Sequence, residues 1–195
     1  MPVIKNTQVF SPEFLQSNYK HWAAIGLGTN LGDRAANLLR AISLLIKAKI
    51  NILTVSDIYE TAPEDYLNQG AFLNMVVLVA SDDLLPPHKL LQVCLDIEIQ
   101  LKRERVIEKG PRIIDLDLLI YDSLVIKNAT DLTLRYPDSL GFSLELTLPH
   151  PRMHERGFVL VPLVELTPQA LHPILGVNYQ TLLEKLDLTG KVIRY

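Results

Sequence analysis

Two carboxylates separated by a single leucine, Asp115 and Asp117, are the residues whose types and spacing most directly predict chemistry in this sequence. They lie in a stretch of apolar and β-branched residues at 113–121, which is typical of a strand. Because alternate residues of a strand lie on one face, the two carboxylates share a side, with Cα atoms roughly 6 to 7 Å apart. Such oxygen ligands, together with substrate phosphates, suit Mg²⁺. The alternative is a solvated pair at a strand end, but the apolar flanking residues favour a partly buried metal site.

A cluster of basic residues directly before this pair could bind phosphate. A guanidinium group matches two phosphate oxygens at once and stabilises charge that develops during phosphoryl transfer, which a lysine does only as a point charge. The alternative is a solvated helix end, where cations are also favourable. The position beside two metal-type carboxylates favours phosphate binding. The cluster contains Lys102, Arg103, Arg105, Lys109 and Arg112, and His150 and Arg156 are further candidates downstream.

The glycine-rich segment at 26–32 fits neither the dinucleotide-binding fingerprint nor the P-loop. We interpret it as a tight turn from a strand into a helix, whose backbone could also line a ligand pocket. The one cysteine, Cys94, lies in an apolar helical pattern without a second cysteine nearby. It is therefore predicted to be a core thiol.

The elements that must position these residues follow the order β-α-β-β-α-β. This is the plan of a ferredoxin-like α+β sandwich, in which both helices cover one face of the sheet and leave the other open for an active site. A further helix is predicted at 157–166. The predicted core elements are strands at 22–28, 52–61, 72–80 and 113–121, and helices at 33–48 and from 86 onward.

The alternation of side chains along the strands predicts what each face carries. The covered face is apolar, whereas the open face collects an aromatic ring, an amide and the two carboxylates. The covered face is predicted to contain Leu73, Met75, Val77 and Val79 of the third strand with Ile114, Leu116, Leu118 and Ile120 of the fourth. The open face is predicted to contain Phe72, Asn74, Asp115 and Asp117.

Bulk composition limits the class of protein. The chain has 195 residues, of which 48% are hydrophobic and 21% charged, and this predicts one domain at 21–195 preceded by an N-terminal extension at 1–20. A net charge of −3 gives no excess of cations for a nucleic acid or an anionic membrane. Neither a signal peptide nor a run of ~20 apolar residues is recognisable, so a cytoplasmic protein is expected.

Taken together, the motifs resemble the 6-hydroxymethyl-7,8-dihydropterin pyrophosphokinase family. The matching segments occur in the family's order over about residues 22 to 168. The pairing of GPRIIDLD with PHPRMHER is highly specific. The segments are GTNLGD at 28–33, YETAP at 59–63, FLN at 72–74, IE at 97–98, GPRIIDLD at 110–117 and LPHPRMHERGF at 148–158.

This resemblance implies a transferase, a monomer with the ferredoxin-like fold, that moves pyrophosphate from ATP to the pterin alcohol in folate biosynthesis, with two Mg²⁺ ions. Asp115 and Asp117 would bind the metal, and Arg103 and Arg112 would be the catalytic arginines of a loop that is mobile until ATP binds. The implied ATP-binding residues are Glu98, Arg105, Thr147, His150 and Arg156. The implied pterin-binding residues are Thr61, Ala62, Phe72, Asn74 and Phe158.

Three departures from the family pattern stand out. Lys109 replaces a tryptophan that is frequent before the Gly-Pro-Arg motif, and Phe72 replaces a frequent tyrosine. An insertion of roughly fifteen residues falls within 128–145, which is longer than most connections. Two other functions fit parts of the pattern: a non-enzymatic ligand-binding module of the same fold, and a nucleotidyltransferase that releases diphosphate instead of AMP.

Overall fold

The computed structural model describes residues 8–104, 108–129, 146–188 and 191–195. The helices are α1 (Pro12–Asn18), α2 (Arg34–Lys47), α3 (Pro87–Gln100), α4 (Gly157–Leu166) and α5 (Tyr179–Glu184), with a 3₁₀ turn at Met153–Glu155. The strands are β1 (His21–Thr29), β2 (Ile52–Val55), β3 (Tyr59–Thr61), β4 (Phe72–Ser81), β5 (Asp115–Tyr121), β6 (Ile126–Ala129), β7 (Leu146–Leu148) and β8 (Val192–Arg194).

Within the described residues, six strands form one antiparallel sheet in the order β5-β1-β4-β3-β8, with β2 also paired to β4. The predicted α+β class is thereby confirmed. The single strand predicted at 52–61 is instead two strands, β2 and β3, separated by residues 56–58. The Ser56 hydroxyl accepts a hydrogen bond from the backbone N–H of Val76 at 2.9 Å and donates to the carbonyl of Asp57 at 2.7 Å.

One face of the sheet packs against α2 and α3. Asp33 caps α2 by accepting a hydrogen bond from the N–H of Ala36 at 3.1 Å. Helical spacing then places Leu38, Ala41 and Leu45 on the buried side, and α3 contributes Leu90, Cys94 and Ile97. The prediction that Cys94 is a core thiol is confirmed, since it is fully buried.

The opposite face is not open along its whole length, which corrects the prediction of one open sheet face. Helix α4 lies across it, and Val159, Leu160 and Leu163 pack with Val76 and Leu78 of β4. Apart from Glu165, the helix is apolar on all sides, as expected for a helix packed between other elements. Only the end of this face near the start of β4 and β5 is left for a site.

A β-bulge changes the predicted sides of β5. Ala24 pairs with Ile120 and Ile25 pairs with Leu118, so Leu119 is the extra residue. Ile120 therefore packs with the core under α4, and its prediction as part of the α2 and α3 face is wrong. The bulge also exposes the carbonyl of Leu119, which accepts a hydrogen bond from the backbone N–H of His150 at 2.7 Å.

Both ends of the described chain are packed against the domain. Phe10 and Leu15 are buried in the core under α4, and the N–H of Phe10 donates to the carbonyl of Leu166 at 2.8 Å. Residues 8–20 are therefore part of the domain rather than a separate extension. At the other end, β8 pairs with β3 so that Val192 faces Thr61.

No helix among the described residues is long and apolar enough to span a membrane. The predicted insertion at 128–145 lies outside the described residues, except for the last two residues of β6.

Candidate active site

The two carboxylates lie at the start of β5, beside glycines of the neighbouring strand. Gly28 of β1 pairs with Asp115, and Gly26 pairs with Asp117. A Cβ atom added at Gly28 would lie 3.1 Å from Oδ1 of Asn74 and 4.0 Å from Cβ of Asp115. The absence of a side chain therefore keeps the space between the amide and the carboxylates free. Gly26 and Gly28 lie in β1 and not in a turn, which corrects the interpretation of the start of the glycine-rich segment, but both do line a pocket, as predicted.

Burial sets the electrostatics of the pair. Desolvation, followed by the nearby charge of Asp115, raises the pKa of Asp117, and His150, Arg103 and Arg112 oppose this effect only in part. Burial also lowers the pKa of His150, against the opposing charge of Asp117. A carboxylate in such a position is stabilised in its ionised form by a bound cation. The charges therefore fit the predicted metal site.

The two predicted catalytic arginines both form ion pairs with Asp115. Arg103 bonds to Asp115 and to Glu98, and Arg112 Nη2 lies 2.9 Å from Oδ2 of Asp115. Glu98 also accepts a hydrogen bond from the N–H of Leu116 at 2.8 Å, so it fixes Arg103 and the start of β5 together. The structure thus brings Glu98, Arg103, Arg112 and Asp115 into one network, in which Glu98 is buried and Asp115 and Arg112 are partly exposed.

Backbone contacts hold both ends of the basic segment. The N–H of Arg103 donates to the carbonyl of Glu98 at 2.9 Å, and the N–H of Arg112 donates to Oδ1 of Asn30 at 2.8 Å. The predicted ATP-binding residue Arg105 lies outside the described residues. That the segment 103–112 moves when ATP binds stays a prediction.

All five predicted pterin-binding residues line one cavity of about 510 Å³. The amide of Asn74 is buried, and its Nδ2 donates to Oγ1 of Thr61 at 2.9 Å. The guanidinium of Arg112 lies 4.8 Å from the ring centroid of Phe72, and the guanidinium of Arg156 lies 5.4 Å from that of Phe158. The cavity therefore contains two aromatic rings and a polar amide, a combination that suits a flat heterocycle with a hydrogen-bonding edge. The five residues are Thr61, Ala62, Phe72, Asn74 and Phe158.

A second cavity of about 680 Å³ lies between α3, β5 and the segment after β7. It contains three of the predicted ATP-binding residues, Glu98, Thr147 and His150, with apolar walls from Leu91 and Leu95. Asp117 lines both this cavity and the one with the aromatic rings. The carboxylate pair is thus placed where ligands in the two cavities would meet.

The residue that sequence reasoning missed is Asp65, in the loop between β3 and β4. Its carboxylate lies 3.3 Å from Nζ of Lys109, 3.2 Å from Nη1 of Arg152 and 3.5 Å from Nη2 of Arg156. No local sequence pattern distinguishes Asp65 from the other polar residues of this loop. Arg156 was predicted to contact ATP, and here its guanidinium pairs with Asp65.

No group of three or more histidine, cysteine or acidic side chains in the described parts of the chain is arranged to hold a metal ion. This does not conflict with a magnesium site, because Mg²⁺ commonly takes only one or two protein carboxylates and completes its shell with water and phosphate.

Comparison with known proteins decides the family. The sequence model of the 7,8-dihydro-6-hydroxymethylpterin-pyrophosphokinase (HPPK) family matches residues 24–168. The chain belongs to the HPPK family. The predicted resemblance to this family is thereby confirmed.

Individual HPPK relatives differ in how much of their length is shared. The chain is 40% identical over 148 residues to the pyrophosphokinase of Bacillus subtilis, covering 75% of this chain and 78% of that protein. It is 38% identical over 169 residues to the pyrophosphokinase of Methylorubrum extorquens, and the match covers 86% of this chain and 95% of that protein. It is 36% identical over 169 residues to folic acid synthesis protein fol1 of Schizosaccharomyces pombe, covering 86% of this chain but only 21% of fol1.

Solved structures support the fold. A Plasmodium falciparum HPPK-DHPS triple mutant with SDX-DHP has a TM-score of 0.65 and 21% identity, and the match covers 88% of this chain and 45% of that one. An HPPK-DHPS in complex with substrates has a TM-score of 0.66 and 15% identity, and the match covers 89% of this chain and 46% of that one. At these identities the likeness shows that the α+β fold is shared.

Proposed function

We propose that this HPPK transfers the diphosphoryl group of ATP to the hydroxyl of 6-hydroxymethyl-7,8-dihydropterin, releasing AMP. The observation that carries this proposal is the position of Asp117 on both cavities, one with aromatic walls and one with Thr147 and His150. A group transferred between two bound ligands must pass such a junction. The carboxylates and arginines gathered there are the groups that phosphoryl transfer uses.

Asp115 and Asp117 are proposed to hold Mg²⁺ ions, two of them with ATP. Bound Mg²⁺ would neutralise charge on the phosphate chain. Arg103 and Arg112 would then exchange part of their pairing with Asp115 for phosphate oxygens, which their guanidinium groups match in pairs. His150 and Arg156, with Arg105, would bind further phosphate oxygens.

The cavity around Asn74 is proposed to bind the pterin. Asn74 and the backbone of Ala62 would read the hydrogen-bonding edge of the heterocycle, while Phe72 and Phe158 stack on its faces. The Arg112 guanidinium near the Phe72 ring would then lie close to the pterin hydroxyl that is the acceptor. This arrangement orients the acceptor toward the carboxylate junction.

The finer fold assignment is also a proposal. We propose that the domain contains a ferredoxin-like unit, to which α4 and β8 are additions. The unit consists of β1, α2, β2 with β3 as one interrupted strand, β4, α3 and β5. The order of elements and the placement of β1 between β4 and β5 support it. A monomer and a cytoplasmic location stay predictions from the sequence.

The test is incubation of the protein with ATP, Mg²⁺ and the reduced pterin alcohol, followed by separation of nucleotides and pterins. AMP and a pterin diphosphate in equal amounts are expected. Release of inorganic diphosphate would instead indicate a nucleotidyltransferase, and unchanged ATP would indicate a binding module. Asp117→Asn serves as the inactive control.

A further inference from the structure

Asp65 collects three cations from two separate parts of the chain. Lys109 comes from the segment before β5, and Arg152 and Arg156 come from the segment after β7. Both oxygens of Asp65 are used, since Arg152 Nη1 lies 3.2 Å from Oδ1 and 3.3 Å from Oδ2. Burial alone would raise the pKa of Asp65, but hydrogen bonds from Arg152 and Lys109 outweigh it and hold the pKa below its ordinary value.

The loop that carries Asp65 is fixed over the cavity by Gln69. The side-chain Nε2 of Gln69 donates to the carbonyls of Tyr66 at 2.7 Å and of Lys109 at 3.1 Å. Its Oε1 accepts from Nδ2 of Asn30 at 2.9 Å. Asp65 and Lys109 are therefore held facing each other, and both line the cavity that contains Asn74.

Two of the three cations around Asp65, Lys109 and Arg156, line the same cavity as Asp65 and Asp117. Arg156 is the least exposed of them, at 14% of its side chain, against 43% for Arg152 and 48% for Lys109. A partly buried guanidinium without a counter-ion would attract any anion, including free diphosphate. A carboxylate that already pairs with these cations competes with such anions for them.

We propose that Asp65 is a positioning residue that acts as an exchangeable internal counter-ion, limiting the affinity of the site for polyphosphate by competing for Arg156 and its neighbours. This inference rests on the proposed function, because the polyphosphate groups that compete with Asp65 are taken to be those of ATP and of the product. Asp65 releases Arg156 when the nucleotide binds and pairs with it again when the product leaves. No bond is made or broken by Asp65.

The experiment measures binding of inorganic tripolyphosphate by calorimetry in the presence of Mg²⁺, without pterin. Asp65→Asn is expected to bind it about three- to ten-fold more tightly than the unmodified protein, the range set by releasing partly exposed ion pairs. Asp65→Glu, which keeps the charge, is expected to remain within about two-fold. Unchanged or weaker binding by a folded Asp65→Asn would overturn the proposal.

Two further variants separate this role from a general change of charge. Glu60→Gln removes the same charge from the neighbouring strand, where Glu60 pairs with Arg34 at 2.7 Å, and should leave the affinity unchanged. In an Arg156→Gln background, Asp65→Asn should lose part of its effect, since one of the three competed cations is gone. Equal tightening by Glu60→Gln, or an undiminished effect in the Arg156→Gln background, would contradict the proposal. Because no turnover is needed, failure here is distinguishable from failure of the kinase assay.

Discussion

The face of the sheet under α2 and α3 is apolar from one end to the other, whereas the face under α4 is apolar only as far as Val76 and Leu119. Beyond that point the second face carries Asn74 and the two carboxylates of β5. One face is therefore occupied by core along its length, and the other combines a core with a polar site. The difference predicts that substitutions on the two faces will separate stability from activity.

The largest effect is expected from Asp117→Asn, which should abolish turnover because the carboxylate is a proposed metal ligand. Without metal it should also make the fold more stable at pH 8. The folded-state pKa of Asp117 is raised, so its ionised form destabilises the fold increasingly as pH rises above the ordinary carboxylate range. The gain in stability of Asp117→Asn over the unmodified protein should shrink toward pH 3, where the Asp117 carboxyl is protonated in both the folded and the unfolded state.

Activity assays with Mg²⁺ and thermal melting in chelator at pH 8 and pH 4 test this prediction. Asp96→Asn, on the exposed side of α3, is the matched control and should change neither quantity. Retained turnover, or a lower melting temperature of Asp117→Asn at pH 8, would show that Asp117 is an ordinary structural residue.

Arg112→Ala and Arg103→Ala should slow the chemical step by about 10²- to 10³-fold, the usual cost of losing one donor that stabilises transition-state charge. Nucleotide affinity should fall by less, because the contacts strengthen as charge develops. Arg112→Lys should recover only part of the rate. Single-turnover kinetics beside equilibrium ATP binding measure both quantities, with Arg40→Ala on α2 as control. Loss of affinity alone, with a normal chemical rate at saturation, would make these arginines ground-state binding groups.

Adjacent leucines of α2 test the stabilising face directly. Leu38 is fully buried and Leu39 is 62% exposed. Leu38→Ala should reduce the free energy of unfolding by about 2 to 5 kcal/mol, whereas Leu39→Ala should change it by less than about 0.5 kcal/mol. Denaturant titration measures the difference, and the folded fraction of either variant should keep normal kinetics. Reduced specific activity of folded Leu38→Ala would mean that the two faces are not separable.

The smallest effect is expected from Asn74→Ala, which should weaken pterin binding by about 1 to 3 kcal/mol, the cost of leaving a ligand's polar groups unpaired. ATP binding should change little, because the nucleotide cavity does not include Asn74. Calorimetry with each ligand separately tests this. As a control, Asn51→Ala removes an amide outside the site, since Asn51 directly precedes β2 and donates to the carbonyl of Ala80 at the far end of β4. Equal weakening for both ligands would contradict a dedicated pterin pocket.

Local sequence patterns predicted the main helices and strands and placed Asn74, Asp115 and Asp117 on one face of the sheet. Most of the other site residues were predicted only from the family resemblance. The apolar runs of β4 and α4 are each encoded within a few residues, so their positions could be predicted. The bulge at Leu119 could not, because it depends on the register between β1 and β5. Asp65 was missed for a related reason: its three partners lie more than forty residues away in the chain. Whether α4 or solvent covers a sheet face is likewise decided by packing between distant segments.

Cys94 has a practical consequence for labelling experiments. The sequence contains no other cysteine, and burial, followed by the charges of Glu98 and Asp117, raises the pKa of this thiol. Because the thiolate is the form that reacts, Cys94 should be inert toward maleimides and spin-label reagents while the protein is folded. Leu67→Cys, at a loop position that is 72% exposed, would then carry the only modifiable thiol. A probe attached there could follow the Asp65 loop during binding, with the unsubstituted protein as an unlabelled background.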